Sequence, residues 1–192
     1  MPLPFRSFLV GLVLLAVPGA VAQDAPLAGV IDEVRVGIHA HEAHHALFPV
    51  FVTEYDLSRI EDVSFDVLFT SPDIDVFRWI GTPRPEIGTT LNFGGKESTA
   101  HAALTWQLPV FDTPLFLEGT FGAAIHNGYL DAAPPGRRNL GCRVNFYERF
   151  GIGANISDNA TVLATYEHMS NADLCDANEG YSNFGVRVGF KF

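Results

Sequence analysis

The chain has 192 residues, room for one domain and a short appendage, and its 12 Lys+Arg against 22 Asp+Glu give a formal charge of -10. A nucleic-acid face needs a basic patch, so this balance argues against nucleic acid as a partner. Hydrophobic residues at 47% and charged residues at 18% exclude a disordered chain. Two cysteines are too few for a disulfide scaffold and lack metal-ligand spacing.

Residues 1–22 read as a secretory signal peptide. Arg6 supplies the positive start, Phe8 to Val17 the apolar stretch, and Ala20-Val21-Ala22 the small-residue cleavage site. The apolar run is short for a membrane span of about 20 residues. The expectation is an exported protein of residues 23–192 with no membrane helix.

The remaining chain alternates with period two in eight segments, the mark of strands with two unlike faces. In the first, Val34, Val36, Ile38 and Ala40 oppose Glu33, Arg35, Gly37, His39 and His41. The second sets Val63, Phe65, Val67 and Phe69 against Ser64, Asp66 and Thr70; the third covers about 86–93. The fourth sets Ala100, Ala102, Leu104, Trp106 and Leu108 against His101, Thr105 and Gln107. The fifth sets Leu115, Leu117, Phe121 and Ile125 against Glu118, Thr120 and His126. The sixth sets Val144, Phe146, Phe150, Ile152 and Ile156 against Arg143, Asn145, Arg149 and Asn155. The seventh runs over about 161–172, and the eighth sets Phe184, Val186, Val188, Phe190 and Phe192 against Asn183, Arg187 and Lys191.

A soluble sandwich also alternates, but these strands are about 9 to 12 residues long, where soluble strands average about 5 to 6. Their polar faces carry ionised groups of both signs with glycine between them, which suits the lumen of a small closed barrel. Residues 109–114 and 157–160 make short turns, whereas 42–61, 94–99, 127–141 and 173–180 make longer polar connections. Outer-membrane barrels have this alternation of short inner turns and longer outer loops. The connection at 71–85 is too long for the pattern. The terminal Phe190-Lys191-Phe192 resembles the C-terminal signal of bacterial outer-membrane barrels. The expected fold is all-β, an eight-stranded antiparallel transmembrane β-barrel of the bacterial outer membrane.

Within the seventh strand, His168 and Ser170 are two apart and share a face at the outer end. A serine hydroxyl becomes a nucleophile when a base takes its proton, and an adjacent imidazole can be that base. A following asparagine, Asn171, can donate to a developing oxyanion. The stretch His168-Met169-Ser170-Asn171-Ala172, followed by Asn178-Glu179-Gly180, resembles the H-x-S-N-A…N-x-G signature of PagL-type lipid A 3-O-deacylases. Gly81 to Gly88, Trp106 and Gly119 to Gly128 also fall where that family has similar residues.

The resemblance implies an eight-stranded outer-membrane serine esterase that removes the 3-O-linked acyl chain of lipid A in lipopolysaccharide. It implies Ser170 as nucleophile, His168 as general base and Asn171 in the oxyanion hole, with no cofactor. The family's orienting acid is a Glu two residues beyond the N-x-G glycine, where this chain has Ser182. Such an acid holds the imidazole and stabilises the imidazolium. Glu179 is put forward in its place, with Asp173 and Asp176 nearby. The competing expectations are a non-catalytic barrel for envelope integrity or adhesion, and a soluble exported barrel that binds a lipid. A homodimer is compatible with either membrane reading.

His39, His41, His44 and His45 cluster near the end of the first strand. A metal could bridge His39 and His41, but no further spaced ligand accompanies them, so they read as polar lining and loop, and no metal is expected. Cys142 and Cys175 fall on the outer side in a disulfide-permissive compartment. A two-residue turn at Asp158-Asn159 would set them opposite each other, but would also turn His168 and Ser170 toward the lumen. A three-residue turn at Ser157 to Asn159 keeps those two on the lipid face with Val162 and Tyr166. Burial pins register, so the second turn is expected. Cys175, in a loop, can still reach Cys142; a disulfide and two free thiols both stay open.

Overall fold

The structure is a computed structural model and describes residues 29–44 and 55–192. The signal-peptide expectation for residues 1–22, His45 and the side chain of His44 lie outside the described residues. Eight strands close an antiparallel barrel in sequence order: β1 (Ile31–His44), β2 (Ile60–Phe69), β3 (Arg84–Asn92), β4 (Thr99–Pro109), β5 (Leu115–His126), β6 (Val144–Asn155), β7 (Ala160–Ser170) and β8 (Tyr181–Lys191). β8 pairs with β1, from Glu33 opposite Lys191 to His44 opposite Ser182, so no edge is left open. Closure satisfies the strand backbone within the sheet, the condition for crossing lipid with strands.

The period-two pattern sorts the side chains by charge. Outward positions are apolar and exposed, among them Val36 and Ile38 on β1, Phe65 on β2, Phe121 on β5 and Val188 on β8. Inward positions are polar and buried, and their ions pair across the lumen. Arg35 on β1 holds both oxygens of Glu118 on β5 at 2.7 Å. Arg149 on β6 grips Glu86 on β3 with two bonds of 2.7 Å. Arg187 on β8 donates to Asp66 on β2 at 2.9 Å and to Glu167 on β7 at 2.6 Å. His101 lies flat on Tyr147, ring centroids 4.1 Å apart, and bonds Glu86 at 3.1 Å. His39 and His41 belong to the same lining: His39 bonds Ser64 at 2.9 Å and His41 bonds Asp62 at 2.9 Å.

The long 71–85 connection has a physical account. A short helix, α1 (Asp75–Trp79), forms there, tied by Arg78 to Asp73 and Asp75. The Trp106 indole nitrogen donates to the Ile80 carbonyl at 2.7 Å and docks the segment on the barrel. Ile74, Val76, Trp79 and Ile80 remain exposed, giving this rim an apolar and aromatic girdle of the kind found at the membrane–water boundary. The β6–β7 turn closes with Ile156 N–H on the Ala160 carbonyl, 2.8 Å, around residues 157–159. This is the register that puts His168 and Ser170 outward.

Two expectations follow. Glu86→Gln leaves Arg149 buried without its bidentate partner, so the unfolding free energy measured by urea titration in vesicles should fall by about 3–5 kcal/mol. At the loop end, burial raises the carboxyl pKa of Glu97, but its ion pairs with His41 and Arg137 outweigh burial and hold it down to about 2, from an ordinary 4.5. A depressed folded-state pKa stabilises fully above the unfolded value and is lost as pH falls through the folded one. Amide exchange in residues 127–143, corrected for its intrinsic pH dependence, should therefore accelerate between about pH 4.5 and about pH 2.

Candidate active site at the outer rim

β7 runs toward the end of the barrel that carries the longer loops, and Ser170 is its last residue. The outward face of β7 carries Val162, Ala164, Tyr166, His168 and Ser170. Alone among the eight strands of the described residues, β7 has no large exposed hydrophobic side chain. Tyr166 and His168 point outward yet are buried. Tyr166 is covered in part by Tyr55, from the connection before β2, whose ring meets Tyr166 edge-on at 6.1 Å and Phe184 at 6.0 Å.

Cross-strand pairing arranges this face in rows. Ser170 lies opposite Phe146 at the rim. One row down, His168 stands between Glu148 on β6 and Ser182 on β8. Below that, Tyr166 stands between Phe150 and Phe184, and next Ala164 between Ile152 and Val186. The lower rows line an apolar groove of about 400 Å³ with Leu117, and Ala164 keeps its floor low. A polar row carrying an imidazole and a hydroxyl thus sits directly above an apolar channel on the membrane face.

His168 Nδ1 bonds Ser182 Oγ at 2.7 Å. Ser182, where the resemblance calls for an acid, is therefore a partner of the imidazole, but a neutral one. Gly180 lies beside Ser170: a Cβ there would stand 2.8 Å from Ser170 Cβ and 2.7 Å from the Met169 carbonyl, so only glycine leaves the serine this room. Asn178 Oδ1 accepts the Asn171 N–H at 2.8 Å, which ties the two halves of the motif together.

Two expected residues do other work. Glu179 does not approach His168; its carboxylate accepts the Asn139 backbone N–H at 2.7 Å and the Asn139 side chain at 3.3 Å. These bonds tie the loop after β7 to the loop before β6. Asn171 spends both amide hydrogens on loop carbonyls, Leu140 at 2.9 Å and Ala177 at 2.6 Å. As an oxyanion donor it would have to release one of these; here it is a clamp. Asp173 accepts from Asn178 at 3.0 Å. Ala172 and Asp173 both take left-handed backbone conformations, φ 52° and 60°, turning the chain sharply after the motif. Gly141, at φ 70°, packs against the Ala177 carbonyl where a side chain would overlap it.

Cys142 and Cys175 are joined, with Cα atoms 5.7 Å apart, so the loop before β6 and the loop after β7 form one cap beside Ser170. As to metals, Asp66, Glu86 and His101 bring ligand atoms within 4.8 Å of one another. Arg149 and Arg187 already neutralise the two carboxylates, which makes this cluster part of the ion network. Sequence reasoning missed Tyr55 and Glu148. For Glu148 the signal was present: an acidic residue at an apolar-phase position of β6.

Fold and site together define an outer-membrane β-barrel with polar, chemistry-bearing residues on its lipid-facing rim. The lipid A 3-O-deacylase (PagL) family model matches residues 69–191, well over half of the chain. The chain belongs to this family, whose members are outer-membrane hydrolases. Its fold is similar to the crystal structure of the outer membrane enzyme PagL, with TM-score 0.55 and 18% identity over 83% of this chain and 99% of that one. It is also similar to the N-terminal β-barrel domain of Pseudomonas aeruginosa OprF, with TM-score 0.55 and 11% identity over 84% of this chain and 97% of that one. Neisserial surface protein A shares the fold at TM-score 0.51 and 9% identity, over 85% of this chain and 97% of that one. No curated protein sequence matches the chain.

Peptide maps of the purified protein should differ between reducing and non-reducing conditions by a single Cys142–Cys175 link. Alkylation of both cysteines without prior reduction would show that the link is absent.

Proposed function

We propose that the protein hydrolyses the ester-linked 3-O-acyl chain of lipid A, with Ser170 as nucleophile and His168 as general base. The observation that carries this reading is the stacking of rows on the membrane face. An imidazole and a hydroxyl two residues apart stand at the outer rim, directly above an apolar groove. Lipid A lies in the outer leaflet, where its esters reach the rim and its acyl chains run down the barrel wall. The groove takes the acyl chain being released, and the substrate needs no deep pocket.

The chemistry follows from the ring. With Nδ1–H donating to Ser182 Oγ, the Nε2 lone pair is the basic position. The Ser170 hydroxyl proton passes to Nε2 as Oγ attacks the acyl carbonyl. The imidazolium then returns that proton to the departing sugar oxygen, which leaves as the free 3-hydroxyl, with the acyl group on Ser170. Water, deprotonated by the same imidazole, hydrolyses this ester and releases the fatty acid. Export by cleavage after Ala22 belongs to the same reading, since the site must reach the outer leaflet.

A second reading, a non-catalytic barrel for envelope integrity or adhesion, is favoured by Ser182 standing where the resemblance calls for an acid. Mass spectrometry of lipid A incubated with the detergent-purified protein separates the two. Loss of one 3-hydroxyacyl group is expected, and unchanged lipid A would support the second reading. Ser170→Ala and His168→Ala should each abolish the loss while heat-modifiable gel migration stays normal. Because the pair acts as a unit, the double variant should be no worse than either single one. Full activity in Ser170→Ala would overturn the serine mechanism.

A further inference from the structure

β6 alternates apolar outside and polar inside, except at Glu148. Its outward neighbours are Val144, Phe146, Phe150 and Ile152, all on the face that meets lipid. Glu148 shares that face, half-buried, and its Oε2 is buried with no hydrogen-bond partner among the described residues. An ionisable group on the lipid side of a barrel wall is destabilising, so such a residue is retained where it has a task. The inward carboxylates of the same barrel, by contrast, nearly all meet an arginine or histidine.

The position of Glu148 names the task. It lies directly opposite His168 in the β6–β7 register. Residues so placed have Cβ atoms about 4.5–5.5 Å apart, within a glutamate's reach of the ring. On the other flank Ser182 bonds Nδ1, but a hydroxyl carries no charge to balance an imidazolium. Glu179 and Asp173 accept hydrogen bonds within the outer loops, from Asn139 and Asn178. We propose that Glu148 is the positioning carboxylate of His168, supplying from β6 the negative charge that stabilises the imidazolium formed when Ser170 gives up its proton. The proposal rests on the Ser170–His168 reading. Ser182 orients the ring and Glu148 balances the charge it acquires, so two strands share a role that one acid could fill.

Steady-state lipid A deacylation in detergent micelles tests this with wild type, Ser170→Ala, Glu148→Gln, Glu148→Asp and Glu148→Gln/Ser182→Glu, each checked for folding by heat-modifiable migration. Glu148→Gln should lower kcat on the order of 10²–10⁴-fold, as loss of the orienting charge does in a serine triad, with KM unchanged within about twofold. Activity should return in part with Glu148→Asp or with Ser182→Glu, because position 182 touches the same ring. The proposal is overturned if folded Glu148→Gln keeps its kcat while Ser170→Ala is inactive. It is equally overturned if only KM rises, or if neither restoring substitution recovers turnover. Wild-type protein without turnover, or an active Ser170→Ala, would instead remove the underlying reading and this proposal with it.

Discussion

Everything in this molecule depends on closing a barrel around charges that must pair with one another. The lumen is narrow enough for Arg35 to reach from β1 to Glu118 on β5, and for Arg149 to reach from β6 to Glu86 on β3. Those strands are not neighbours in the sheet. Each such pair is therefore a strut across the lumen, and each fixes the rotation and register of the strands it joins. A slip of one residue would turn these ions into lipid and bring valine and phenylalanine into the lumen. Backbone pairing closes the wall, while the ionic lumen decides which of several closures is adopted.

A wall fixed from inside can carry polar groups outside at few places, and here they are gathered. Glu148, His168 and Ser182 form one row across three strands, with Ser170 a step above. The strain of putting these groups on a lipid face is limited by their height at the rim and by the burial of His168 and Ser182. Below them the aromatic row of Phe150, Tyr166 and Phe184 returns the wall to its ordinary apolar character. The site is thus an interruption of the barrel's outer pattern, whereas enzymes in water commonly place theirs in a cleft.

The rim above the site is held by covalent and polar clamps that leave the row itself alone. The Cys142–Cys175 link, Asn171 on the Leu140 and Ala177 carbonyls, and Glu179 on Asn139 all join the same two loops. The side chains of the H-x-S-N…N-x-G stretch therefore divide between two tasks. Its asparagines and its glycine shape the backbone around Ser170, while His168 and Ser170 face outward to the lipid.

By itself the sequence determined the eight strands, their two faces, the even-numbered outward phase of β7 and the adjacency of His168 and Ser170. All of these follow from period two, which is local to a strand and needs no knowledge of its neighbours. The turn at 157–159 was legible for the same reason, since one choice of turn preserved the faces and the other inverted one of them. Only the tertiary structure decided what stands beside what. That Ser182 bonds the imidazole and Glu148 faces it depends on the registers of β6, β7 and β8 together. That Asn171 and Glu179 are clamps depends on how two loops distant in sequence meet over the rim. The helix at 75–79 likewise exists where Trp106, on another strand, gives Ile80 a partner. A strand's faces are set along the chain, but its cross-strand neighbours and loop contacts are set only when the barrel closes.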